Sequence, residues 1–128
     1  MTTSFLAIGL GAALGAWSRW GLGLLLNPLL IALPLGTLAA NLIGGYLIGV
    51  AVGVFHLHAD LSPAIKLFVV TGFLGGLTTF STFSAEVVER LLSGQWATGI
   101  GLALVHLLGS VLLTALGLYT VGAHRAWS

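Results

Sequence analysis

Residues Gly75–Glu86 read GGLTTFSTFSAE, placing two glycines, five hydroxyl residues and two phenylalanines inside an otherwise apolar segment. The surrounding chain is 58% hydrophobic and 5% charged over 128 residues, with a mean hydropathy of +1.12. Such a chain belongs in lipid, where polar side chains are expensive and usually face protein or water. A run this polar, opened by a helix-weakening Gly75-Gly76 pair, is a candidate permeation or binding site.

The same composition bounds the architecture. A helix needs roughly 20 mostly apolar residues to cross hydrocarbon, so the chain holds about four spans with short connections and no second, soluble domain. Apolar segments run from about residue 5 to 26, 35 to 55, 64 to 92 and 98 to 121. Asn27-Pro28 and Ser62-Pro63 mark loops, because proline restricts the residue before it. The start, MTTSFLAIGLGAALG, lacks a basic leader and reads as a retained first span. Trp17, Trp20, Trp96 and Trp127 lie near span ends, where indoles favour the interface. Cysteine is absent, which excludes disulfides and thiolate metal sites, and the net charge of +1 gives no sign of a nucleic-acid partner. The expected fold is an all-α integral membrane domain of four transmembrane helices, the third broken at Gly75-Gly76.

Charge gives no orientation. With four spans, the termini and middle loop share one face, which carries Lys66 and Arg125, while Arg19 and Arg90 lie toward the other. Either four charges are too few for the positive-inside rule to act, or the chain inserts both ways and pairs antiparallel. Small residues form two rows at helical spacing. Gly11, Gly15 and Gly23 share one face of the first span with Arg19, and Thr37, Asn41, Gly45, Gly49 and Gly53 line the second. Such rows let helix backbones approach in membranes.

In a helical Thr78–Glu86 segment, Phe80 and Phe83 share a face, Thr79, Thr82 and Glu86 adjoin it, and Ser81 and Ser84 lie on its other side. An aromatic stripe at this spacing is ordinarily core or lipid-facing surface. Hydroxyls on both flanks favour contact with a polar path, where positive ring edges and hydroxyl hydrogens solvate a small anion without trapping it. A break at Gly75-Gly76 would expose carbonyls of Gly75 to Thr78, which suit a hard cation such as sodium. A simple glycine kink is the competing reading. Asn41 is the one amide in its span and can donate to an anion or serve as interhelical glue. His106, Ser110 and Thr114 step by four along the last span as a polar stripe. Arg19 either snorkels to the interface or supplies positive potential at an anion entrance. Glu86 reads as a helix–helix hydrogen bond or ion pair. His56 and His58 lack further ligands and receive no role. No nucleophile–base pair or phosphate loop appears, which argues against an enzyme.

Three motifs, GAALGAWSRW, PLGTLAANLIGGYLIG and GFLGGLTTFSTFSAE, make the chain resemble the Fluc (CrcB) fluoride channel family over nearly its whole length. The resemblance implies an antiparallel, dual-topology homodimer with two pores, multi-pass in the inner (plasma) membrane. It implies passive, fluoride-selective export that confers fluoride resistance. Under it, Phe80 and Phe83 are the pore aromatics, Asn41 the pore amide, and Ser110 and Thr114 part of a hydroxyl track. Ser81, Thr82 and His106 join the candidate anion path, and the role of His106 stays open. Gly75 and Thr78 are the carbonyl donors to a structural sodium ion at the dimer centre, and Arg19 stands near the vestibule. Two other readings compete. A small proton-coupled multidrug transporter would want a central carboxylate early in the chain, and the first span has none. A non-transporting assembly protein would use the glycine rows but leave the polar stripes without purpose.

Overall fold

The computed structural model describes residues 1–127, with side chains described through Arg125, so the Trp127 indole lies outside the described residues. It is all-helical. Helix α1 spans Thr2–Leu26 and α2 spans Leu35–Leu57, joined by a single-turn 3₁₀ segment at Asn27–Leu29. Helix α3 covers residues 63–77 in three consecutive pieces: Pro63–Lys66, a π-helical stretch Leu67–Leu74, and Gly75–Leu77. Helix α4 is Phe80–Leu92 and α5 is Trp96–Thr120, with a 3₁₀ turn at Ala123–Trp127. Ser62 caps α3 by accepting from the Ile65 N–H, with Pro63 in the first turn, where its missing N–H costs nothing.

Among the described residues, three helical stretches are long and apolar enough to cross a membrane. They are Leu35–Leu57, Pro63–Leu92 and Trp96–Thr120, with mean hydropathies of 1.9, 1.5 and 2.1. Helix α1 is also long, at 25 residues, but Arg19 and its two tryptophans dilute its apolar content.

The broken helix is real, but its break lies later than the glycines suggest. Gly75 and Gly76 are helical, whereas Thr78 (φ −86°, ψ 155°) and Thr79 (φ −149°, ψ 119°) are extended. Gly76 serves proximity instead. A Cβ there would stand 3.0 Å from the Ala16 nitrogen and press on the Ala12 backbone. The helix stops where a threonine offers its hydroxyl as a cap: Thr79 Oγ1 accepts from the Thr82 N–H at 3.2 Å.

Small residues, not large ones, hold the bundle together. Helix α1 packs chiefly on α3, and α2 on α5. Gly11 lies against the backbones of Phe68, Gly72 and Phe73, and Gly15 against Phe73 and Leu77. Gly45 meets Ser110, Gly49 meets Thr114 and Gly117, and Gly53 meets Val121 and Ala123. Residue numbers rise together in both pairs, so α1 runs parallel to α3 and α2 parallel to α5. The glycine rows are thus consumed inside the chain rather than left for a partner. Leu10, Leu108 and Leu112 are exposed, as lipid-facing side chains are.

Candidate functional site

The break between α3 and α4 is held open by one side chain from α2. Asn41 Oδ1 accepts from the Thr79 N–H at 2.8 Å, and its Nδ2 donates to the Thr79 carbonyl at 3.0 Å. This two-point pairing fixes which way the amide faces, since only its oxygen can accept and only its nitrogen can donate. Asn41 Nδ2 lies 3.0 Å from His106 Nδ1 on α5, which faces its second hydrogen. That nitrogen must therefore accept, and the neutral imidazole carries its hydrogen on Nε2, which is buried and has no partner among the described residues. Both amide hydrogens of Asn41 are engaged within the protein.

Around this knot lies a cleft of about 450 Å³. Asn41, Gly75, Thr78, Phe80, Phe83, His106, Ser110 and Thr114 all line it, so residues read from three separate spans converge. No charged side chain lines the cleft. Phe80 and Phe83 meet edge to face, with centroids 5.5 Å apart and planes at 69°, and Phe83 lies over the His106 ring with centroids 4.4 Å apart. Phe80 is 79% exposed, so its ring projects from the chain.

The hydroxyls differ in what they have left to give. Thr114 Oγ1 is within 2.8 Å of the Gly45 carbonyl and 2.9 Å of the Ser110 carbonyl, and Thr78 Oγ1 donates to the Leu74 carbonyl at 2.8 Å. Their single hydrogens are already committed, as is common for hydroxyls in membrane helices. The Ser110 hydroxyl makes no such bond among the described residues. Ser81 and Thr82 do not line the cleft. Ser81 is exposed with its oxygen 3.3 Å from Thr79 Oγ1, and the Thr82 N–H donates to that same threonine.

Arg19 belongs elsewhere. Its Nε donates to the Gly76 carbonyl at 3.2 Å, and it lines a second cleft of about 370 Å³ with Trp20, Asn27 and Thr37. Thr37 donates to Glu86 Oε2 at 2.8 Å, the helix–helix hydrogen bond expected of that carboxyl, while Oε1 is buried without a partner. Sequence reasoning missed Thr79 as the cap and clamp point. A Thr-Thr pair just before an amphipathic turn is itself an N-cap signal, but the adjacent Gly-Gly pair drew the break forward.

Residues 6–118 match the family model described as "CrcB-like protein, Camphor Resistance (CrcB)". The chain belongs to the CrcB family. Among curated CrcB relatives, the "Fluoride-specific ion channel FluC" of Dechloromonas aromatica (strain RCB) is 73% identical over 125 residues, covering 98% of this chain and 93% of the relative. Proteins of the same name from Thiobacillus denitrificans (strain ATCC 25259 / T1) and Ralstonia pickettii (strain 12J) are 60% and 63% identical. They cover 93% and 91% of this chain, and 96% and 93% of the relatives. A family model spanning residues 6–118 means that the cleft, the break and the glycine contacts other than those of Gly53 with Val121 and Ala123 fall within the CrcB-homologous part of the chain.

Proposed function

We propose that this protein is a fluoride-selective ion channel through which fluoride leaves the cell passively. The observation that carries the reading is the close likeness, over nine-tenths or more of the chain, to relatives named fluoride-specific ion channels. The chemistry of the cleft supports it. Fluoride holds its water tightly, so a path must replace that water in steps without binding too well to release the ion. The Ser110 hydroxyl and the positive edges of Phe80 and Phe83 supply such steps, and no charged side chain lines the cleft to trap the anion. The multidrug-transporter reading finds no carboxylate in the cleft, since Glu86 lies outside it on Thr37.

In this reading α1 is the fourth span, running parallel to α3, and two copies pair antiparallel with dual topology in the inner membrane. Two features support the pairing. The four basic residues divide evenly between the two faces, and Phe80 projects from the protomer. A structural sodium ion at the dimer centre fits the break. In a continuous helix the carbonyls of Gly75 and Thr78 would accept from the Thr79 and Thr82 N–H groups, but those are engaged by Asn41 and by the Thr79 hydroxyl. Two freed backbone oxygens per chain are hard donors suited to sodium. The Gly75 and Thr78 carbonyls would hold the ion, which would supply a fixed positive charge at the break.

The test is efflux from liposomes holding purified protein, with a potassium diffusion potential for charge balance. Fluoride leaves rapidly and chloride scarcely at all. Equal rates for the two halides would overturn the selectivity claim.

A further inference from the structure

We propose that His106 is a positioning residue for the anion path, tying the clamp at the helix break to the aromatic ring one turn beyond it. The inference rests on the fluoride-channel reading for its functional consequence, but not for its geometry. His106 is 3% exposed on α5, and its two faces of interaction are distinct. In the ring plane, Nδ1 receives the second Asn41 hydrogen at 3.0 Å. On the ring face, Phe83 stacks with centroids 4.4 Å apart and planes tilted by 32°. One rigid ring thus couples α2, the break at Thr79 and the first turn of α4.

The coupling works through a tautomer. Asn41 is locked by Thr79, so it presents a hydrogen, and only the imidazole with Nδ1 bare can receive it. Were Nδ1 to carry the hydrogen, two donors would face each other and the ring would have to turn. A half-turn would keep the ring plane but set a carbon against Asn41, and any smaller turn removes the surface on which Phe83 rests; Phe83 in turn sets the edge-to-face contact with Phe80 at 5.5 Å. The orientation of the aromatic pair therefore depends on a residue in a different helix, 23 positions later in sequence than Phe83 by its number.

Two substitutions separate positioning from direct contact with the ion. His106→Asn keeps an acceptor near the place of Nδ1 and loses the distal ring. His106→Gln places its amide nearer Nε2 and leaves the second Asn41 hydrogen without a partner. Positioning predicts faster fluoride efflux from the Asn variant than from Gln, with Gln slower than the unaltered channel by about tenfold, as for an orphaned buried donor. Gln equal to or faster than Asn overturns the proposal, because it would make Nε2 the group that matters. A second measurement does not depend on conduction or on the variants folding. Nitrogen-15 magnetic resonance of the unaltered protein in bilayers should find Nδ1 bare, Nε2 protonated, and a hydrogen-bond coupling to Asn41 Nδ2. A protonated Nδ1 overturns the proposal. Failure of the unaltered protein to pass fluoride would instead overturn the channel reading, leaving the tautomer result to stand or fall alone.

Discussion

Replacing Asn41 with leucine isolates what the clamp contributes. The change removes three hydrogen bonds at once: to the Thr79 N–H, to the Thr79 carbonyl and to His106 Nδ1. Leucine has the same number of side-chain heavy atoms as asparagine and the same branching, and a cleft adjoins it, so overpacking does not dominate. All three abandoned groups are partly buried, and each costs about 1 kcal/mol, the low end for such a group. The sum, about 3 kcal/mol, corresponds to roughly a hundredfold rise in the population with the break disordered. Amide hydrogen exchange at Thr79 reads this directly, since exchange follows local opening. Asn41→Leu should accelerate Thr79 exchange by about two orders of magnitude while α2 and α5 amides far from the break stay slow. Fluoride efflux should fall in parallel. If efflux is lost while Thr79 exchange is unchanged, Asn41 contacts the ion instead of holding the break, and the reasoning fails.

Other expectations follow from the packing and the charges. Phe80→Ile or Phe83→Ile should stop or severely slow fluoride efflux while the assembled species on size exclusion stays the same, and unchanged flux in both would return the rings to plain packing. Gly49→Ala presses a methyl into the Thr114 backbone and comes within 3.1 Å of Gly117. It should cost about 1–3 kcal/mol in equilibrium unfolding from detergent, as overpacking does, whereas Gly101→Ala meets nothing within 4 Å and should be tolerated. Site-directed labelling of the C-terminus in cells should find it on both membrane faces; exclusive labelling from one side would sink dual topology.

What the sequence reveals depends on the range of the interaction. Apolar length announces the helices, and small-residue spacing announces close approach, because both are local and periodic. The convergence of Asn41, Phe83 and His106 is legible only as three separate polar or aromatic signals. Nothing in the spacing joins Asn41 to Thr79, which is 38 positions away. The placement of the break failed for the same reason. Gly75 and Gly76 are intrinsically weak in a helix, but α1 lies directly against Gly76 and rewards keeping it helical. Thr79 departs instead, because Asn41 replaces the bonds that its backbone gives up. Which glycine row meets which helix was equally hidden, since a row of small residues names no partner.

The parallel pairing of α1 with α3 and of α2 with α5 has a consequence for how the protein is made. Neither principal pair is adjacent in the chain, so a nascent polypeptide entering the bilayer one helix at a time cannot zip up hairpin by hairpin. When α2 is inserted, its row at Gly45, Gly49 and Gly53 has no α5 to receive it, and Asn41 has neither Thr79 nor His106. The Asn41 oxygen and one amide hydrogen find Thr79 once α3 and α4 are in place, and the second hydrogen waits for His106 on α5. Insertion and folding are therefore separate stages here, and a chain cut short before α5 would leave the α2 glycine row uncovered and one Asn41 hydrogen without His106, an invitation to chaperones or proteases.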